Sequence, residues 1–208
     1  MSVNVVVLDD HALICHAMRL IIDAEEGWHC VATCADLENA QAVLHSVDVD
    51  LMICDLRLPS GNALQLIRAH AQVAKPRFLV SSGVEHEVFS PICRKAGAHG
   101  FIPKSWTPQA LMEAARQVVQ ADFPADGWVG PRIEPHFLGC RLCELSDREL
   151  EILLEFGKGH STKKIARTLY VSEKTIESHR LRIKQKMALD SKDHLVQLAT
   201  ELSDVLGD

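Results

Sequence analysis

The sequence predicts two folds in series, an α/β doubly wound (βα)5 unit followed by a small all-α helix-turn-helix domain. Three observations carry that reading. Short apolar runs alternate with amphipathic stretches up to residue 121, a breaker-rich segment occupies 122–143, and helical periodicity alone continues from 144 to 208.

In the first unit, Val5-Val6-Val7-Leu8 reads as a buried strand, being apolar, β-branched and closed by polar residues. Cys30 to Thr33, Leu51 to Cys54, Phe78 to Ser81 and Gly100 to Ile102 read as strands two to five. Between and after them, amphipathic stretches run Leu13 to Ala24, Leu37 to Leu44, Leu64 to His70 and Pro108 to Val119. Strands alternating with helices imply right-handed crossovers and helices on both faces of a parallel sheet. Pro91 constrains the remaining helix, because proline is welcome only in a helix's first turn. Ser90 as N-cap and Pro91 as first helical residue predict a shortened fourth helix after a long loop, Gly83 to Phe89.

Three carboxylates follow strands: Asp9 and Asp10 after the first, Asp55 after the third. Ligands of open parallel sheets bind beyond the carboxyl ends of the strands, so these side chains converge where a hard divalent cation and a phosphoryl group can meet. A carboxylate attacks a phosphoryl group only when that group is positioned and its charge neutralised. Mg²⁺ takes oxygen ligands, using one or two carboxylates and retaining several waters. The alternative is that Asp9 and Asp10 merely cap the next helix and that a lysine in a nearby loop is solvated.

Taken together, Asp9-Asp10, Asp55-Leu56-Arg57-Leu58-Pro59, Ser81 at the end of the fourth strand and Lys104 after Gly100-Phe101-Ile102-Pro103 resemble the receiver domain of bacterial response regulators over residues 1–121. The resemblance implies a flavodoxin-like fold in which Asp55 is the phosphoacceptor. It further implies that Asp10 binds Mg²⁺ directly and Asp9 largely through water, with Asp55 and the Arg57 carbonyl as further ligands. Lys104 and the Ser81 hydroxyl would contact phosphoryl oxygens, and Phe101 would be the switch aromatic that turns inward. Two departures stand out. Ala63 occupies a position where glycine is common, which is acceptable if its φ is negative. Ser105 follows Lys104 where many receivers have proline, so no cis peptide is expected there.

Segment 122–143 contains Pro124, Gly127, Gly130, Pro131, Pro135 and Gly139 interspersed with Trp128, Phe137 and Leu138. Breakers at that density predict a linker, and its apolar residues predict that part of it docks on a domain. His136, Cys140 and Cys143 fall here; without a matching second Cys-x-x-Cys pair they do not close a tetrahedral metal site.

From residue 144 the capping signals are strong. Ser146 and Glu149 form a capping-box pattern, Gly157 and Gly159 end that helix, and Ser161 or Thr162 caps a short one at Ile165 to Leu169. After the turn Tyr170-Val171-Ser172, a longer helix spans Glu173 to Met187, and a last one runs from about Ser191 to Leu202. Two helices joined by a short turn, the second longer and basic, make a helix-turn-helix. Leu145-Ser146, Arg148-Glu149, Gly159, Lys164-Ile165-Ala166, Val171 to His179, Ile183 and Lys186-Met187 resemble the LuxR-type DNA-binding domain. With the receiver, this points to a response regulator of the NarL/FixJ type.

Helical periodicity turns Ile176, Ile183 and Met187 inward, with His179 and Arg180 at the edges. Lys174, Glu177, Ser178, Leu181 and Gln185 then face the major groove, where Glu177 suits a cytosine amino group and Leu181 a thymine methyl. Thr175, Arg182, Lys163, Lys164 and Lys186 are assigned to phosphates. A dimer on two half-sites is expected, with Leu195, Leu198, Ala199 and Leu202 offering a seam that domain packing must partly use.

The whole chain carries a formal charge of −6, yet Lys158 to Met187 hold nine basic and two acidic residues. Such a local basic face is what nucleic-acid binding requires. No apolar segment approaches the ~20 residues of a membrane-spanning helix, no signal peptide opens the chain, and seven cysteines in mostly apolar runs suit a reducing cytoplasm. The expected function is a non-enzymatic, phosphorylation-regulated transcription factor, partnered by a sensor histidine kinase and double-stranded DNA. A receiver controlled by a protein or ligand without phosphorylation is the alternative. A Mg²⁺-dependent phosphohydrolase is disfavoured because it leaves the helix-turn-helix idle.

Overall fold

A computed structural model describes residues 2–83, 86–105, 107–120, 128–130, 141–142, 144–189 and 192–206. Two compact units result, Met1–Arg132 and Ile133–Gly207.

The first unit is built on five strands: β1 Val3–Leu8, β2 Trp28–Cys34, β3 Leu51–Cys54, β4 Arg77–Ser82 and β5 Gly100–Pro103. They are all parallel, in the order β2-β1-β3-β4-β5. The connecting helices are α1 Ala12–Asp23, α2 Leu37–Ser46, α3 Leu64–His70, α4 His86–Ala96 and α5 Pro108–Val119. The central strands are covered on both faces, so Val5 to Leu8 and Leu51 to Cys54 are all buried, which is why they read as continuous apolar runs. On one face Val5, Val7, Ile53, Leu79 and Ile102 meet Met18 and Ile22 of α1 and Leu111, Ala115 and Val118 of α5. Because β2 and β3 lie on opposite sides of β1, the order in which strands are added across the sheet reverses between β1 and β3. That reversal opens a crevice at their carboxyl ends.

The expected shortening of α4 is overturned. The helix already runs from His86, with Pro91 in its interior; residues 84 and 85 of the expected loop lie outside the described residues. An interior proline costs about 3 kcal/mol. Against that, Phe89, Ile92, Cys93 and Ala96 recur at i, i+3, i+4 and i+7, and all are buried. Burying large apolar side chains at about 1.5–3 kcal/mol each outweighs the proline. Ser90, expected as a cap, is instead a buried helical residue. The cis peptide in the described residues lies at Lys75–Pro76, not after Lys104.

Part of the breaker-rich segment docks as expected. Trp128 and Val129 are buried, and Val129 forms a parallel bridge with Gly100. Its remaining residues, 122–127, 131–140 and 143, with His136, Cys140 and Cys143 among them, lie outside the described residues.

The second unit contains α6 Asp147–Gly157, α7 Thr162–Thr168, α8 Glu173–Met187 and α9 Lys192–Leu206. The capping box is formed: the Glu149 amide donates to Ser146 Oγ at 3.2 Å and the Ser146 amide to Glu149 Oε2 at 2.8 Å. Ser161 and Ser172 cap α7 and α8. The apolar seam expected on α9 is not free, because Leu195, Leu198, Ala199 and Leu202 are all buried within the unit. Gly157 ends α6 as its last residue, as expected, and α9 crosses directly over it. A Cβ there would lie 1.9 Å from the Ala199 carbonyl oxygen.

Two predictions follow from this packing. Gly157→Ala should destabilise the second unit by about 1–3 kcal/mol in urea denaturation, since the clash is with helix backbone. In the first unit, burial and then the charge of Arg77 push the His99 imidazole below its usual range, and its Nδ1 accepts from the Phe78 amide at 3.2 Å. The unfolded chain therefore protonates first. Stability conferred by neutral His99 is full above the ordinary histidine pKa of about 6.5. It declines as pH falls from there toward the folded value. Denaturation midpoints between pH 7.5 and 5.5 should fall less in His99→Gln than in the unmodified chain.

Candidate phosphoacceptor pocket and nucleic-acid interface

Two of the three carboxylates, Asp9 and Asp55, are placed by the sheet's own hydrogen bonding carried one residue past the strand ends. The Asp55 amide donates to the Leu8 carbonyl at 2.7 Å, and the Asp9 amide to the Cys34 carbonyl at 3.0 Å. The Lys104 amide is anchored on the Ser82 carbonyl at 2.9 Å. Strands β1, β3 and β5 thus deliver Asp9, Asp55 and Lys104 to one place. Lys104 Nζ lies 2.6 Å from Asp9 Oδ2 and 2.7 Å from Asp55 Oδ2. Asp9 and Asp55 are both buried, with 2 % and 7 % of their surface exposed, and this ammonium is their principal compensation. Burial works against the lysine's charge, but hydrogen bonds and attraction from Asp55 and Asp9 raise its pKa above the ordinary value.

Asp10 is more open and sits beside Asp9 and His11, with one ligand atom from each within 4.8 Å of the others. The His11 amide donates to Asp9 Oδ1 at 2.9 Å, and its ring Nδ1 is 3.0 Å from Asp10 Oδ1. The Arg57 amide approaches Asp55 Oδ1 at 3.4 Å. Phe101 is fully buried. Ala63 has φ −67° and precedes α3 in a right-handed helical conformation, so alanine fits where glycine is common.

Two site residues were missed by the sequence reading, Ser82 and His11. Ser81 is buried, but the hydroxyl that donates to Asp55 Oδ1, at 3.1 Å, is that of Ser82. Adjacent serines at a strand end alternate sides, and only the register of β4 on β3 decides which one faces Asp55. His11 was also passed over, although its place immediately after the acidic pair was a visible signal.

On the second unit, the inward and outward faces of α8 fall where periodicity put them. Ile176, Ile183 and Met187 are buried, whereas Lys174, Glu177, Ser178, Leu181, Arg182 and Gln185 are exposed, Leu181 to 59 %. Lys163 and Lys164 on α7 are exposed too. Some of these side chains already have partners. Glu177 accepts from Thr162 Oγ1 at 3.0 Å and pairs with Arg180 at 2.9 Å. The Thr175 hydroxyl is 2.7 Å from Ser172 Oγ in the cap of α8. Lys164 Nζ is 2.6 Å from His160 Nε2. Lys186 departs most from expectation: its Nζ lies 2.6 Å from Glu149 Oε2 and 2.9 Å from the Glu144 carbonyl. The carboxylate of the capping box, nearly buried at 4 % side-chain exposure, draws this lysine inward. His179 is half-buried, with its Nδ1 lacking a partner among the described residues.

Comparison with known proteins agrees with both geometries. The model of the response regulator receiver domain matches residues 5–116, and that of bacterial regulatory proteins of the luxR family matches 144–199. The oxygen regulatory protein NreC of Staphylococcus epidermidis is 32% identical, across 94% of this chain and 96% of that protein. NreC of Staphylococcus haemolyticus is 29% identical over the same shares. Among solved structures, RcsB from Salmonella enterica serovar Typhimurium, bound to promoter rprA in the presence of phosphomimetic BeF3−, superposes with a TM-score of 0.63 at 21% identity. The match covers 97% of this chain and 99% of that one, and supports the fold. A parallel five-stranded sheet with converging strand-end carboxylates, joined to a capped helix-turn-helix and matched by both family models, belongs to the response regulators of the NarL/FixJ type, which carry a LuxR-type DNA-binding domain.

Proposed function

We propose that this response regulator is switched by phosphorylation of Asp55 and, once switched, binds operator DNA as a homodimer. The reading rests on one observation above the others: the buried Asp55 carboxylate lies 2.7 Å from Lys104 Nζ and 3.1 Å from Ser82 Oγ. Those groups are suited to neutralise and orient a phosphoryl group on that carboxylate. An oxygen of Asp55 attacks phosphorus, and the donor, a phosphorylated imidazole of a sensor histidine kinase, leaves with the electron pair of the broken P–N bond. The product carries roughly 1.5–2 negative charges, by analogy with phosphoserine. Lys104 then has reason to leave Asp9 for a phosphoryl oxygen, and Ser81 or Ser82 donates to another.

Asp9, Asp10, Asp55 and the Arg57 carbonyl would supply an all-oxygen donor set of the kind Mg²⁺ prefers, and the ion would supply neutralisation of the incoming phosphoryl charge. Asp9's buried carboxylate, which shares its ammonium with Asp55, fits that role. Residues 1–121 would serve as receiver, 122–143 as linker and 144–208 as the DNA-binding domain, working in the cytoplasm. At the DNA, Lys174, Glu177, Ser178 and Leu181 would face base edges, while Lys163, Lys164, Thr175 and Arg182 would meet phosphates. Lys186 is withdrawn from that set and assigned to holding the capping box.

The first test compares DNA binding with and without Mg²⁺ and acetyl phosphate. Donor should tighten binding by about 5–150-fold, the usual range of allosteric coupling, and Asp55→Ala should abolish the response. DNA binding by the unmodified chain that is equally tight with and without donor would overturn the reading. The second test separates the lysines by salt dependence. Lys163→Gln should flatten the slope of log affinity against log salt by about 0.9 per protomer, the value for one phosphate contact. Lys186→Gln should leave the slope unchanged while lowering the melting temperature of the second unit.

A further inference from the structure

The sheet of the first unit does not end at β5. Beyond it lies Val129, hydrogen-bonded on both sides of Gly100: its amide donates to the His99 carbonyl at 2.8 Å, and its carbonyl accepts from the Phe101 amide at 2.9 Å. Two glycines allow this approach. A Cβ on Gly100 would lie 2.7 Å from the Val129 carbonyl oxygen, and one on Gly130 would lie 2.4 Å from the Phe101 carbonyl oxygen. Gly130 also has φ +135°, a conformation that side chains oppose. The docking is reinforced by side chains. Trp128 and Val129 are each only 5 % exposed, Val129 belongs to the core beneath α5, and the Arg94 guanidinium of α4 sits 5.9 Å from the Trp128 ring centroid.

This segment holds the backbone of Phe101, which stands at the receiver family's switch-aromatic position. Phe101 is fully buried, and its amide is committed to Val129. Lys104 lies three residues further along and is tied by its ammonium to Asp9 and Asp55. A change in Lys104's partner therefore acts on a strand whose outer edge is closed by Val129 alone among the described residues. Among the described residues that closure is a single bridge rather than a ladder, the shortest pairing of the sheet. In sequence it stands between the receiver's last helix and the DNA-binding unit.

We propose that Trp128, Val129 and Gly130 are positioning residues of the phosphoswitch: docked on β5 they hold the backbone at Phe101 and with it the strand that leads to Lys104, and phosphorylation of Asp55 releases them. The inference rests on the phosphorylation reading above and adds the element that passes the change from pocket to linker. The released β5 edge also exposes backbone hydrogen-bonding groups that the docked segment covers.

The test follows the Phe101 and Val129 amides by hydrogen exchange using NMR on the full chain, alongside DNA binding, with and without Mg²⁺ and acetyl phosphate. Both amides should lose at least about tenfold in protection on adding donor, and neither should change in Asp55→Ala. Gly130→Ala should bind DNA without donor while still taking up phosphoryl groups at Asp55. Should that variant fail to fold, Trp128→Ala and Arg94→Gln, which loosen the docking from its side chains, are expected to raise donor-free binding. If donor tightens DNA binding while both amides keep their protection, the strap is not part of the switch and the inference falls alone. If donor leaves DNA binding of the unmodified chain unchanged, the phosphorylation reading falls and this one with it.

Discussion

A single ammonium shared by two buried carboxylates is the constraint on which the first unit depends. Asp9 and Asp55 are withdrawn from water, and unpaired burial of a carboxylate is strongly unfavourable. Lys104 resolves this at 2.6 and 2.7 Å, but only because β1, β3 and β5 end at the same level. The registers that pair Leu8 with Cys54 and Ser82 with Pro103 are therefore as much a part of the pocket as the charges. A one-residue slip would turn the alternate residues outward and separate the three groups. The apolar strands supply the force that fixes the register, and the polar cluster at their ends is set by it.

The same ammonium makes the pocket responsive. Lys104 has two acceptors among the described residues, so a phosphoryl group on one of them competes directly for it. Because Lys104 follows directly on the short strand that contains Phe101, that competition reaches the sheet's edge within three residues. Val129 meets the strand there.

The second unit divides its positive charges between two tasks. Lys163, Lys164 and Arg182 stand exposed on the helix-turn-helix surface, whereas Lys186 serves the capping box at the start of α6. Its partner Glu149 is nearly buried and its pKa is lowered, hydrogen bonds from Lys186 and Ser146 prevailing over desolvation. A lysine near such a carboxylate gains more by pairing with it than by remaining in water. Net charge along the helix does not reveal this division, since it counts a lysine the same whichever way the side chain turns.

Local chemistry made most of the architecture legible in the sequence. Apolar β-branched runs marked all five strands, the ends of α3, α5 and α8 followed from periodicity and capping residues, and the acidic pair, Asp55 and Lys104 were visible at strand ends. Those signals act through neighbours in the chain, so the sequence displays them directly. Four features were decided only by tertiary structure. Pro91 sits inside α4 because burial of Phe89, Ile92, Cys93 and Ala96 outweighs a local penalty. Ser82 rather than Ser81 reaches Asp55 because register selects one face of β4. Lys186 turns inward toward a carboxylate 37 residues away. The α9 stripe is consumed by its own unit, and Gly157 is required by the passage of Ala199 overhead. In each case the deciding partner is distant in the chain, and no local propensity encodes it.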